Sequence, residues 1–418
     1  MSADTGNAGN AFRRIMLLMG LYLACVQINR SGGAVIASDL IDTRAYPAAD
    51  VGTVMGSMFL ASAVIQLPAG VLYDRLGPRA MLSAMNVIAV AGLLMFAFAG
   101  SVEGLSIGRT LIGIGHGTVI AGIYLLAVAW VSPERVATVA AAVIGVAGGA
   151  GALLATTPLA LALESIGFTA TFAALALLTL GFSGAILIVV RDAPGVCATH
   201  RARRSEGLWQ SLRGLKEVVA QRNLWPVYVM GSCFTAPFLT VGGLWAGPYL
   251  REVHGLSNAQ SSYVLLAMMV ALYLGYVAYG PMDRVFNSRK RVVLAGVVGM
   301  LVCLTALAAL PDPPLSAVVG LLVAFALFSP FFVTLAAHCR GFVPADRVGR
   351  AIACINLTGL VSVFIMQVAA GAIVESAAGQ GSAGGYRLVF AMVAAVLLVT
   401  GAIYTRARDV PVRGAGSA

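Results

Sequence analysis

Charge is scarce in this chain: Asp, Glu, Lys and Arg make up 11% of its 418 residues, and no acid falls near the middle of a long apolar run. A soluble domain carries about a quarter of its residues as charges. With 59% hydrophobic residues and a mean hydropathy of +0.91, the sequence is that of a polytopic membrane protein. The missing central acids leave a mechanism based on a midplane carboxylate without a carrier. Cysteine is sparse and scattered over Cys25, Cys197, Cys233, Cys303, Cys339 and Cys354, with no C-x-x-C pair, which argues against a disulfide framework or a zinc site. No G-x-x-x-x-G-K-[ST] loop occurs, so the chain does not itself use ATP. No catalytic constellation stands out either, so neither an enzyme nor a cofactor or metal is expected. The net charge of +10 reads as the basic excess of cytoplasmic loops rather than a nucleic-acid surface.

What is present is a series of apolar runs, each near the roughly 20 residues that a helix needs to cross a bilayer. They fall at 14–39, 51–72, 80–100, 104–130, 137–162, 168–190, 224–250, 259–280, 292–311, 316–339, 350–374 and 386–405, predicting twelve spans. Of the 27 basic residues, all but Arg30, Arg44, Arg109, Arg251 and Arg387 fall in segments that this topology assigns to one side. That side is read as the cytoplasm, with both termini on it, in a bacterial cytoplasmic membrane. Arg13 and Arg14 precede a run too long for a signal-peptide core, so the first helix should remain in the mature protein.

The segment 191–223 is long, polar and basic. Leu208, Leu212, Leu215 and Val219 recur there at helical spacing, predicting an amphipathic helix from Glu206 to Gln221 on the membrane surface. It separates an N-terminal six-helix bundle, 1–190, from a C-terminal one, 224–407, which a short tail, 408–418, follows. The halves repeat. Asp74-Arg75 answers Asp283-Arg284 at a shift of 209, Pro133-Glu134-Arg135 answers Ala345-Asp346-Arg347 at 212, and Glu164 answers Glu375 at 211.

Between the second and third runs lies Gly70-Val-Leu-Tyr-Asp74-Arg75-Leu-Gly77-Pro78-Arg79, a charged turn in which Gly77 and Pro78 reverse the chain. This G-x-x-x-D-R-x-G-x-R string resembles the signature loop of the major facilitator superfamily. The resemblance implies an all-α membrane fold of twelve transmembrane helices in two pseudo-symmetric six-helix bundles, a secondary transporter. It also implies that the loop is a gate, with Asp74 meeting the start of the eleventh span near Gly349. Asp283 and Arg284 stand at the corresponding turn of the second half, where Tyr279 replaces the expected glycine. Gly145, Gly148, Gly149 and Gly151 line the fifth span, but the Gly-Pro pair of the superfamily's drug antiporters is absent there, Pro158 lying seven residues on.

Arg30 is the most informative side chain, since a guanidinium near the midplane of the first span costs several kcal/mol unless paired or hydrated. The string Val26-Gln27-Ile28-Asn29-Arg30 resembles the Asp-Arg pair of the superfamily's organic-anion branch, with Asn29 in place of the acid. Arg109, Gly113, His116, Ile120 and Tyr124 share one face of the fourth span at helical spacing, and Arg109 to Gly117 resembles the superfamily's R-x-x-x-G-x-G element. Phe234, Phe238 and Trp245 of the seventh span, and Phe328 and Phe332 of the tenth, form aromatic stripes. They are usually packing residues, but the superfamily lines its cavity with the first, fourth, seventh and tenth helices. Asn356 and Gln367 are polar positions in the eleventh span.

The candidate substrate site is thus Gln27, Arg30, Arg109, His116, Tyr124, Phe234, Trp245, Phe332 and Asn356. The expected function is alternating-access transport of a small, anionic organic solute across the lipid bilayer by a monomer, with a proton or counter-anion as the coupling partner. Two other readings stay open: efflux of amphipathic drugs, and a non-transporting membrane sensor or assembly factor on the same fold.

Overall fold

The computed structural model describes residues 2–190, 221–344, 348–377, 379 and 382–409. The expected amphipathic helix of the basic connection, the repeat marker at 345–347 and most of the tail lie outside them. Helices account for the regular structure, and no strand occurs among the described residues. Ten helical stretches are long and apolar enough to cross a membrane. The longest, Ala48–Phe98, turns back at Gly77, whose φ of 76° and ψ of 160° are non-helical, and so contains the second and third spans. Pro133–Leu154 with the first turns of Thr157–Val189 makes the fifth span, and Gly167 (φ 80°) separates it from the sixth. The twelve expected spans are all present.

Local sequence sets many helix ends. Ser101 and Ser288 cap the fourth and ninth spans through their hydroxyls. Ser257 and Gln260 form a reciprocal capping box at the start of the eighth. The duplication reappears in the backbone at a shift of 210. Helix Gly33–Asp42 closes with Ala45 N–H donating to Ile41 O (3.1 Å) and Tyr46 N–H to Leu40 O (3.0 Å). At the same place in the second half, Gly255 N–H donates to Arg251 O (3.0 Å) and Leu256 N–H to Leu250 O (3.2 Å). Ala45 (φ 56°) answers Gly255 (φ 64°), and Gly77 answers Asn287 (φ 46°). Both positions take a positive φ, through glycine in the first loop and asparagine in the second, the residue types that tolerate it best.

Contacts group the chain into two compact units, one of 1–32 and 57–211, the other of 33–56 and 212–418. In the first unit, small residues bring backbones together where lipid provides no hydrophobic drive. A Cβ on Gly151 of the fifth span would lie 2.7 Å from Ala24 Cα of the first, and one on Gly115 of the fourth 2.6 Å from Ala89 N of the third. Gly145, by contrast, looks onto open space.

In the second unit, 33–56 packs on the seventh and eleventh spans. A Cβ on Gly247 would lie 2.8 Å from Ser38 Oγ, and one on Gly371 2.6 Å from Ala48 O. Two polar contacts reinforce this. Arg251 Nε pairs with Asp42 Oδ2 at 3.0 Å, and Glu375 accepts the Ala48 N–H at 2.8 Å.

Candidate functional site

The spans expected to be continuous at 14–39, 104–130, 224–250 and 316–339 are each interrupted. The first breaks at Gly32, between helices Ser2–Ser31 and Gly33–Asp42. The fourth breaks at Gly117-Thr118, between Val102–His116 and Val119–Trp130. The seventh runs as Trp225–Gly231, then Ala236–Thr240, a π-helical turn Val241–Trp245 and Ala246–Glu252. The tenth breaks over Ser329–Phe331, between Leu315–Phe328 and Phe332–Arg340. Interrupted spans free backbone groups at membrane depth, tolerated where they line a protein-enclosed or watered site. Tyrosines brace two of these breaks: Tyr73 Oη donates to Thr118 O at 2.9 Å and Tyr279 Oη to Phe328 O at 3.1 Å.

At the break of the first span, the first unit assembles a polar cluster. Asn29 lies in the last turn of helix Ser2–Ser31, where carbonyls run out of intrahelical donors. Its carbonyl accepts Arg109 Nη1 at 3.2 Å. The Arg109 guanidinium, wholly buried, lies 5.3 Å from the Phe96 ring centroid, a cation–π contact, while its Nε has no partner among the described residues. Phe96 is held in turn by Phe172, edge-on at 4.8 Å, and Phe168 at 5.1 Å. Gly113, four residues on, packs against Met58 of the second span, so the glycine-spaced element draws the Arg109 face into the unit.

His116, 3% exposed, stands edge-on to Tyr22 at 6.2 Å, and among the described residues neither of its ring nitrogens nor the Tyr22 hydroxyl has a hydrogen-bond partner. Arg30 and Arg109 both lie close enough to His116 for their charges to act on it. Arg30 and Gln27 are half-buried on the same helix. Among the described residues no carboxylate pairs with Arg109. The arrangement gathers positive charge and idle polar atoms around one break.

The expected stripe on the fourth span does not continue past the break: Tyr124 is 49% exposed, whereas Arg109 and His116 are buried. The aromatic stripes are likewise divided by the interruptions of the seventh span. Phe234 meets Phe332 with ring centroids 4.3 Å apart, but Trp245 is fully buried against Tyr386 of the twelfth span. Asn356 is half-buried, and Gln367 Nε2 donates to Leu239 O at 3.0 Å.

In the loop, Gly70, Asp74, Arg75 and Arg79 are exposed and Gly77 is half-buried. Arg79 donates to Leu187 O. A Cβ on Gly70 or Gly349 would meet no described atom within 4 Å. Asp283 is occupied by Arg289 Nε at 3.5 Å, and Arg284 is exposed. Sequence reasoning missed Tyr22 and Phe96. Tyr22 could have been found, since it lies seven residues before Asn29 and so on its helical face.

Twelve apolar spans in two repeats, with four of them broken and polar side chains gathered at one break, are the construction of a secondary transporter. The chain belongs to the Major Facilitator Superfamily, whose sequence profile matches residues 19–286 and 243–417. Solved structures agree on the fold. A point mutant of the nucleoside transporter NupG superposes with a TM-score of 0.76 at 14% identity, covering 94% of this chain and 98% of its own. A bacterial homologue of the human lysosomal transporter Spinster, inward-facing and unoccupied, gives 0.74 at 16%, covering 95% and 97%. An auto-inhibited POT family peptide transporter gives 0.69 at 17%, covering 96% and 99%. Among curated proteins, none matches. The chain is a multi-pass membrane protein of a transporter family.

Proposed function

We propose that the protein carries a small, anionic organic solute across a bacterial cytoplasmic membrane by alternating access. The observation that supports this reading is the buried polar set of the first unit: Arg109 without a carboxylate partner among the described residues, with Tyr22 and His116 idle beside it. Each buried polar atom left unsatisfied costs about 1–3 kcal/mol, so several together call for a visiting ligand. A carboxylate or phosphate suits a guanidinium, which holds either in bidentate fashion. Arg30, on the adjoining turn of the first span, supplies a second guanidinium.

In this reading residues 1–190 and 224–407 are the two bundles, 191–223 joins them on the cytoplasmic side and both termini are cytoplasmic. The Gly70 to Arg79 loop is the gate. Uptake into proteoliposomes of a panel of radiolabelled mono- and dicarboxylates tests the proposal. Accumulation of an anion, lost on adding unlabelled anion, supports it. Extrusion of cationic amphipathic compounds with no anion flux would replace it with drug efflux, and no flux of either kind with a sensor.

A further inference from the structure

We infer that the second unit binds the headgroup of a zwitterionic aminophospholipid at the end where the seventh and ninth spans finish and the twelfth begins. A cavity of about 140 Å³ opens there, lined by Tyr249, His254, Leu307, Leu310, Asp312 and Arg387 among others. Two opposite charges share its wall. Arg387 is fixed by donating Nε to Ala308 O (2.8 Å) and Nη2 to Ala309 O (3.4 Å), the end carbonyls of helix Arg289–Ala309. Its Nη1 has no protein partner among the described residues. Asp312, held at φ 46°, is an exposed residue of the cavity wall that presents its carboxylate without a protein ion pair among the described residues.

A simple anion would be repelled by Asp312 and a simple cation by Arg387. A phosphate with an ammonium a few bonds away satisfies both, the phosphate accepting from the guanidinium and the ammonium donating to the carboxylate. His254 engages the Tyr249 hydroxyl through Nε2 at 3.2 Å, which leaves Nδ1 for the ligand. Burial lowers the His254 pKa below its ordinary value, so Arg387 and Asp312 are the charges of the cavity at neutral pH. Apolar surface at the rim selects a lipid over a soluble zwitterion. Leu310, itself lining the cavity, is 43% exposed, offering an acyl chain a place to lie.

The test is native mass spectrometry of the purified full chain with equimolar phosphatidylethanolamine and phosphatidylcholine of identical chains. The wild type should retain the ethanolamine lipid at least about fivefold over the choline lipid, whose quaternary nitrogen has no N–H to donate. Asp312→Asn should bring the ratio to about one. Asparagine accepts the left-handed backbone, so the change removes charge without strain. Should the variant not fold, a wild-type series of mono- and dimethylated ethanolamine lipids serves instead, retention falling with each methyl group. Equal retention of both lipids by the wild type, an unchanged preference in Asp312→Asn, or no fall along the methyl series would overturn the inference. So would displacement of the lipid by soluble phosphoethanolamine at the same concentration.

Discussion

Arg109→Met separates a ligand-binding guanidinium from one that only holds helices together. The variant loses a hydrogen bond from a charged donor to Asn29 O, worth about 1.5–3 kcal/mol, and leaves that carbonyl short of a donor. It also loses the contact over Phe96, worth about 0.5–2 kcal/mol. Against this stands the desolvation of a wholly buried charge with an idle Nε, several kcal/mol that a methionine of similar length does not incur. The terms nearly cancel, so stability should change by no more than about 1 kcal/mol, a shift in Tm of a few degrees in either direction. Anion affinity should fall at least about tenfold, since about 1.4 kcal/mol of ligand contact goes with the guanidinium. Thermal unfolding in detergent and ligand titration on the same preparation read both quantities. A collapse in Tm with anion affinity retained would refute the reasoning and make Arg109 a packing residue.

Gly151→Val should lower Tm sharply, because its Cβ would collide with Ala24, whereas Gly145→Ala should raise it slightly, gaining up to about 1 kcal/mol of helix propensity at an open site; equal effects would contradict the packing. Asp74→Ala should slow transport in proteoliposomes far more than it weakens substrate binding, and equal losses would count against a gating loop.

Much of the fold was legible because apolar run length and turn chemistry are local. Gly77-Pro78 announced a reversal, and φ 76° at Gly77 supplies it. Arg109, Gly113 and His116 shared a face in sequence and are buried together in the structure. The interruptions were not legible. The length of an apolar run does not register a one-residue break at Gly32, and the π-helical turn Val241–Trp245 shifts helical phase by an amount that only packing sets. With the break between Gly231 and Ala236, it leaves Phe234 and Trp245, aligned by spacing, against the tenth and twelfth spans respectively. The grouping of 33–56 with the second unit was hidden too, because it depends on close glycine packing between residues far apart in sequence, such as Gly52 against Gly371, where a Cβ added to Gly52 would lie 3.2 Å from Gly371 Cα.

The proposed anion site is built on Arg109 with Arg30 as its second guanidinium, and the affinity of Arg30→Lys for an anionic solute tests the anion reading most directly. Lysine keeps the charge at this half-buried position but cannot reproduce the two parallel hydrogen bonds of a guanidinium. Titration of the purified protein, followed by thermal shift, should show anions raising the Tm of the wild type by mass action. Arg30→Lys, folded and inserted, should bind the same anion at least about tenfold more weakly, about 1.4 kcal/mol. Unchanged affinity in Arg30→Lys, or a wild type stabilised by cationic compounds alone, would contradict the account.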